Sequence, residues 1–491
     1  MRGLLATSIG VTCAAALALP LTPPAAATPA RAASPSAAGI PGSTDSLPLV
    51  PLGSDRAPGA AQQGVPRRDT GHFSLVGVVW DDPATELHGR VQVRTRAAAT
   101  HTWSAWQDLE THNGDHGADP GTSERTSGHV RGATAPLWVG DSDGVEVRVR
   151  AESVADTRVE ETGRGVRTVT GPTSALPSGL RLELVDPGRD TTPGEGTAPG
   201  EGTAPAGQQH PAVHRHAPVT IPRTGAIAVD EPDEESEDTT QVREIADANA
   251  GLTGVRTGAT EIPALDRAGT EQELTTLRGA EMSRPERAKP YIGPRPRIVT
   301  RAGWGADEKL REKGFVYTKS VKAAFVHHTA TGNNYTCAQA PSVIRGIYRY
   351  HVKSMGWRDI GYNFLVDKCG TIYEGRAGGV AKAVLGAHTL GFNSNSMGIA
   401  VIGTYGSGKP STAAVDAIAR LAAWKLGLYG MNPTAKTYLK SGGGNLYAKG
   451  KNVRLNVISG HRDGFATDCP GKQLYGKLGT ARSKAAGFQG R

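Results

Sequence analysis

The sequence predicts a multidomain protein: an N-terminal all-β sandwich or jelly-roll-like domain, a disordered linker, and a C-terminal mixed α/β domain with a central mixed sheet and flanking helices. Three observations carry this. At 491 residues the chain exceeds the usual size of one hydrophobic core. Short period-two apolar runs occupy its first third, whereas strand-like and helical runs alternate in its last two fifths. Between them lies polar sequence; with Gly at 64, Pro at 32 and hydrophobic residues at only 38%, the composition is that of compact domains separated by long polar tracts.

At the N-terminus Arg2 precedes an apolar stretch from Leu4 to Leu19 and a Pro/Ala run containing Ala25-Ala26-Ala27. That layout predicts a secretory signal peptide over residues 1–27. The stretch is short for a membrane span and no later segment reaches about 20 apolar residues, so no transmembrane anchor is expected. The expected location is secreted, extracellular or cell-wall associated. Residues 28–70, rich in Pro and Ala, read as disordered. With Cys13 in the leader, Cys337, Cys369 and Cys469 remain. Thiols normally pair in an oxidising compartment, so an odd count leaves one for another role, such as holding a metal. The net charge of +8 suits an anionic partner. Export favours anionic wall polymers over nucleic acid, and plain solubility accounts for the charge equally well.

Residues 71–186 form the β-rich domain. Leu75, Gly77 and Val79 alternate with Val76, Val78 and Trp80, and Val145, Val147 and Val149 repeat the pattern. Trp80, Trp103, Trp106 and Trp138 fall here, either as a sugar-stacking face or, the commoner fate of tryptophan in a small β domain, as core. Residues 187–290 read as a flexible linker, with a tandem Pro-Gly-Glu-Gly-Thr-Ala unit, an acidic block and the solvated His210, His214 and His216. A short helix fits between Ile245 and Met282.

Order returns for a domain over residues 297–485. Lys322 to Thr329 reads as a buried strand ending on His327 and His328. Ala340 to Val352 has the spacing of an amphipathic helix, with His351 on its apolar face. Phe364 to Glu374 reads as a hairpin turning through Asp367 to Gly370, and Met397 to Gly403 as a buried strand. Ser411 is a suitable N-cap for a helix carrying Val415, Ile418, Leu421 and Trp424.

After the strand-like Val457 and Ile458, a loop carries His461 and, eight residues on, Cys469. Zinc accepts imidazole nitrogen and thiolate sulfur, and a catalytic site uses three protein ligands with water in the fourth position. His327 or His328 supplies the third; strand neighbours point to opposite faces, so only one of them faces the ion.

Six motifs then occur in order: Phe325-Val326-His327-His328-Thr329-Ala330, Asp359-Ile360-Gly361-Tyr362-Asn363-Phe364, Tyr373-Glu374-Gly375-Arg376, Gly386-Ala387-His388-Thr389, Asn393-Ser394-Asn395-Ser396-Met397-Gly398-Ile399, and Gly460-His461-Arg462-Asp463 through Cys469-Pro470-Gly471. Together with Arg301-Ala302-Gly303-Trp304-Gly305-Ala306, they resemble the peptidoglycan recognition protein and type-2 N-acetylmuramoyl-L-alanine amidase family, from about Ile298 to Leu478.

The resemblance implies one Zn2+ per amidase domain, held by His327, His461 and Cys469, with His328 outside the ligand set. It places Tyr362 beside the attacking water and Thr467 near the developing oxyanion, and implies hydrolysis of the amide between N-acetylmuramic acid and L-alanine in peptidoglycan. Binding-only members of the family typically lack the cysteine ligand, so Cys469 favours an enzyme over the alternative, a non-catalytic peptidoglycan-binding sensor. A zinc hydrolase acting elsewhere in the wall peptide is a third reading. Trp304, His351, Trp357, Arg376, His388 and Asn393 are expected to line the substrate groove, Arg376 suiting a peptide carboxylate; core packing is the equal alternative for Trp304 and His351. With Cys469 assigned to the metal, Cys337 and Cys369 are left to pair, closing a loop of about 30 residues whose constraint contributes about 3 to 4 kcal/mol through the unfolded state.

Overall fold

The structure is a computed structural model that describes residues 41–52, 62–152, 159–162, 165–168, 175–188, 243–244 and 247–491. The expected signal peptide and the linker tract 189–242, including His210, His214 and His216, lie outside the described residues.

The N-terminal strands form one eight-stranded antiparallel sheet. Its spatial order is Ser43–Pro48, Arg181–Asp186, Gln62–Trp80, Leu137–Ala151, Gly89–Ala97 and Gln107–Leu109, with Val50–Pro51 and Gly132–Ala133 paired to the long strand Gln62–Trp80. Part of the tract that reads as disordered therefore belongs to this sheet. Ser43–Pro48 is an edge strand, mostly exposed and held by backbone pairing with Arg181–Asp186 along its whole length. Backbone groups make that ladder, so the strand needs no apolar alternation to announce it.

The run from Leu75 to Trp80 is buried on both faces, which is why it reads as nearly continuous apolar sequence. Val76, Val78 and Trp80 join the domain's own core with Val91, Val147 and Leu182. Leu75 and Val79 point the other way and pack with Ile347, Tyr350 and Trp357 of the C-terminal domain.

The C-terminal domain has a seven-stranded mixed sheet in the order Glu261–Ile262, Ile298–Val299, Ile372–Glu374, Phe364–Val366, Ser396–Val401, Ala323–His328 and Ile458–Gly460. The last four of these run parallel to one another. The helix Thr412–Gly427, capped by Ser411 whose hydroxyl accepts the Ala414 N–H at 3.0 Å, packs with Leu478–Gln489 over Val326, Ile399 and Val401 on one face. Helix Ala340–Arg349 covers Leu365 and Ala400 on the other. That helix continues into a π turn, Tyr350–Ser354, whose wider winding rotates His351 away from the simple α-helical stripe. The disulfide Cys337–Cys369 ties the turn before the helix to the hairpin between Phe364–Val366 and Ile372–Glu374.

Residues 247–290, which the sequence assigns to the linker, pack on this domain. Glu261–Ile262 extends the sheet edge, and helix Arg267–Arg278, capped by Asp266 Oδ1 on the Gly269 N–H at 2.8 Å, buries Leu274. Leu252, Ile262 and Leu274 are single apolar anchors in polar sequence, too widely spaced to produce a periodic signal.

Candidate metal centre

Strand Ala323–His328 ends on two histidines, and their side chains part. His327 is fully buried, with Nε2 3.2 Å from His388 Nδ1 and Nδ1 3.8 Å from Cys469 Sγ. The His328 ring turns to the Tyr405 N–H, which it accepts at 3.2 Å. The parallel neighbour Ile458–Gly460 delivers His461 at the same end of the sheet. The following loop returns Cys469, whose sulfur accepts the His328 N–H at 3.4 Å. A fourth donor comes from the N-terminal domain: the His116 ring lies 4.6 Å from that of His461 and 5.4 Å from that of His327. One donor atom from each of His116, His327, His461 and Cys469 lies within 4.8 Å of the others, and all four residues are buried.

This donor set fits zinc. Tetrahedral bonds of about 2.0–2.3 Å put donors about 3.3–3.8 Å apart, so small side-chain rotations suffice. His461 Nδ1 and Nε2 and His116 Nε2 are buried without a hydrogen-bond partner among the described residues, a rare condition for polar atoms in a protein interior. His116 Nδ1 sits 2.9 Å from Asp115 Oδ1, a carboxylate–imidazole pair of the kind that orients a metal-binding histidine and leaves Nε2 for the ion. Asp115 Oδ2 also stands 3.6 Å from His461 Nδ1.

Electrostatics agree. Burial, then the imidazoles of His461, His388 and His116, push the His327 pKa well down. Burial outweighs the attraction of Asp115 and brings His461 down to about 3. Both rings are neutral, the form that binds metal. Burial pushes the Cys469 thiol up, so an ion has to displace its proton. For Asp115 burial alone would raise the carboxyl, but His116, whose Nδ1 lies 2.9 Å away, holds it well below the usual carboxylate range. Burial, then Cys469 and Asp115, push the Tyr362 hydroxyl well up, keeping it a hydrogen-bond donor.

The Tyr362 ring lies 5.5 Å from that of His327 and 5.8 Å from that of His116. The half-buried Thr467 hydroxyl accepts the Cys469 N–H at 3.1 Å. His351 stacks 4.5 Å from Trp357, and its Nδ1 accepts the Gly361 N–H at 3.1 Å. Arg376 and Asn393 face the same region, but each is already paired with the N-terminal domain. The Arg376 guanidinium donates to both Glu124 carboxylate oxygens at 2.8 and 2.9 Å. The Asn393 side-chain amide donates to Asp119 Oδ1 at 2.6 Å and to the Gly117 carbonyl at 2.8 Å.

Two residues expected at the groove lie inside the domain. Trp304 is fully buried, its indole N–H donating to the Glu374 carbonyl at 2.7 Å and its ring edge-on to Tyr348. His388 sits behind His327, brought there by Gly398, where a Cβ would lie 2.5 Å from the His388 ring. Of the four N-terminal tryptophans, Trp80 and Trp138 are core. Trp103 and Trp106 are half-buried beneath the guanidinium groups of Arg67, Arg94 and Arg148.

The residues that sequence reasoning misses are His116, Asp115, Asp119 and Glu124. They occupy Asn113-Gly114-Asp115-His116-Gly117-Ala118-Asp119 and the short helix Ser123–Thr126, a polar Gly-rich stretch without periodicity that resembles any surface loop. An Asp-His pair between glycines was the available signal, and it is a weak one.

A family model described as N-acetylmuramoyl-L-alanine amidase matches residues 317–472. Another, described as Rv3811 N-terminal galactose-binding domain-like, matches residues 24–173. Peptidoglycan-recognition protein SC2 of Drosophila simulans is 31% identical over 183 residues, which span 37% of this chain and 85% of that protein. The N-acetylmuramoyl-L-alanine amidase of Homo sapiens is 32% identical over 192 residues, 38% of this chain and 28% of that protein. Among solved structures, Drosophila PGRP-LB is 25% identical over 37% of this chain and 92% of that one, with a TM-score of 0.30.

Proposed function

We propose, from the premise that this chain belongs to the peptidoglycan recognition protein and N-acetylmuramoyl-L-alanine amidase family, that its C-terminal domain hydrolyses the amide between N-acetylmuramic acid and L-alanine in peptidoglycan, with one zinc ion held by His327, His461 and Cys469. The observation that carries this is the convergence of two imidazoles and a thiol at one end of parallel strands, with Tyr362 beside them.

Zinc, when bound, activates a water molecule as nucleophile and polarises the amide carbonyl. The chain supplies the rest. Tyr362, kept protonated, donates to the oxyanion as it develops; losing such a donor costs about two to three orders of magnitude in rate. Thr467 steadies the Cys469 loop through the Cys469 N–H and would assist the oxyanion. His388 orients His327 from behind. Arg376 offers a planar bidentate donor to a stem-peptide carboxylate, and Asn393 an amide to its backbone. The apolar leader at residues 1–27 supports export, where the wall substrate lies, and no helix among the described residues is long and apolar enough to cross a membrane.

The test is digestion of purified peptidoglycan by the zinc-loaded chain, with products identified by mass spectrometry. Stem peptides with a free N-terminal alanine should appear, vanish with chelator and return with zinc. Cleavage at another bond, or the same products in excess chelator, would contradict the assignment.

A further inference from the structure

We propose that the N-terminal domain is a built-in inhibitor of the amidase site, with His116 as a fourth zinc ligand that closes the metal's open position and residues 113–124 lying in the substrate groove as a mimic of the stem peptide. The inference rests on the zinc-site reading above and extends it to the regulation of that site.

The metal argument is one of donor count. A catalytic zinc keeps three protein ligands and an open position, whereas four protein ligands make a closed, structural site. The C-terminal domain supplies three donors by itself. His116 adds the fourth, with its buried Nε2 unpartnered and its Nδ1 held by Asp115. Nothing in the chemistry of the other three requires it.

The groove argument is independent of the metal. The Arg376 guanidinium, the Asn393 amide and the Leu390 and Gly391 N–H groups, all suited to greeting a peptide, are occupied by the N-terminal domain. The Leu390 N–H donates to the Asp115 carbonyl at 3.0 Å, as to a peptide backbone. Asp119 Oδ1 accepts from the Gly391 N–H at 2.8 Å and from the Asn393 amide. Glu124 presents a carboxylate to Arg376 with both oxygens engaged, and both residues are buried. A cavity of 470 Å³ does remain beside the loop and reaches Thr467 and Cys469, but its lining does not include Tyr362, Arg376 or Asn393.

The plug is part of a docked, folded domain. The Tyr350 hydroxyl donates to the Thr134 carbonyl at 3.1 Å, the Ser354 hydroxyl to Glu183 at 2.9 Å, and the Trp138 N–H to the Thr331 carbonyl at 3.0 Å. Leu75 and Val79 share a core with Ile347 and Tyr350. Access for a glycan strand therefore requires the N-terminal domain to move off this face, and the described arrangement is the latent form.

The test loads the full chain with Co2+ and counts hyperfine-shifted imidazole N–H protons by NMR. The unmodified chain should show three, and azide should leave its visible absorption unchanged. His116→Ala should show two and bind azide. In zinc form it should hold the ion more weakly, by at least the about 10–100-fold that losing even an outer partner of a ligand costs. It should nevertheless release alanine-terminated peptides faster, by about tenfold or more, as the open fraction grows. Glu124→Gln, which leaves every ligand in place, should also hydrolyse faster. Two imidazole protons in the unmodified chain, or azide binding there as in the variant, would overturn the closure; because this arm uses the unmodified protein, it decides even if His116→Ala misfolds. Three imidazole protons with no hydrolysis by any form would uphold closure while ending the amidase reading.

Discussion

At the scale of single residues, the proposed zinc amidase rests most heavily on Cys469. Its sulfur is buried among imidazoles, and Cys469→Ser, which leaves three imidazoles in the docked form and two once His116 moves away, should hold zinc more weakly and lose hydrolysis, read by competition titration and product release; a variant with unchanged zinc affinity and full rate would remove Cys469 from the ligand set. His328→Ala should retain the ion, because that ring serves the Tyr405 backbone. His388→Ala should weaken zinc binding about 10–100-fold in a competition titration, by releasing the far nitrogen of His327; unchanged affinity would make His388 a packing residue only. Strand ends and a short Gly-containing loop marked His461, Cys469 and the pair His327-His328 in the sequence, and the family resemblance singled out His327 from that pair. His116 was not legible there. Its role depends on a docking surface between domains, and no local pattern encodes that.

At the scale of elements, the segment from Asn113 to Thr126 binds through charge, so its docking responds to pH. Burial alone would raise the Glu124 carboxyl, but the Arg376 and Arg358 groups beside it win and lower it below its usual 4.5. A carboxylate lowered on docking stabilises the docked state above its free pKa and loses that contribution as pH falls through the docked value. The contact should therefore be constant at neutral pH and weaken only below about 4.5. Asp119, raised by burial, works in the opposite sense, gaining its proton earlier and favouring docking in acid. Hydrogen exchange of this segment measured against pH should show an acid-side loosening that Glu124→Gln abolishes; an identical profile in the variant would assign the loosening elsewhere. The regular elements around this segment follow their sequence patterns. The parallel strands read as apolar runs because both their faces are covered, and Ser411 announces its helix. Ser43–Pro48 escaped because edge pairing leaves little periodicity behind, whereas Arg267–Arg278 is the short helix expected between Ile245 and Met282.

At the scale of the whole molecule, the two domains meet as one folded body across Leu75, Val79, Ile347 and Tyr350, and glycines permit the approach. Gly356 has φ +75°, and a Cβ there would lie 2.1 Å from the His129 carbonyl oxygen of the N-terminal domain. Gly356→Ala should thus cost about 1–3 kcal/mol, mostly by loosening the docking, and should speed peptidoglycan hydrolysis; a variant of unchanged stability and rate would show that this contact does not govern access. The two fold classes were readable from periodicity, yet their union was not, although the unbroken run from Leu75 to Trp80 already carried an apolar face with no partner inside a half-exposed β domain. The most direct test of the account is anomalous diffraction at the zinc edge from crystals of the zinc-loaded full chain. A single peak bonded to His116, His327, His461 and Cys469, with no solvent ligand, is the predicted result. A peak held by His327, His461, Cys469 and water with His116 turned away would contradict the closed site, and no peak among these residues would contradict the zinc centre itself.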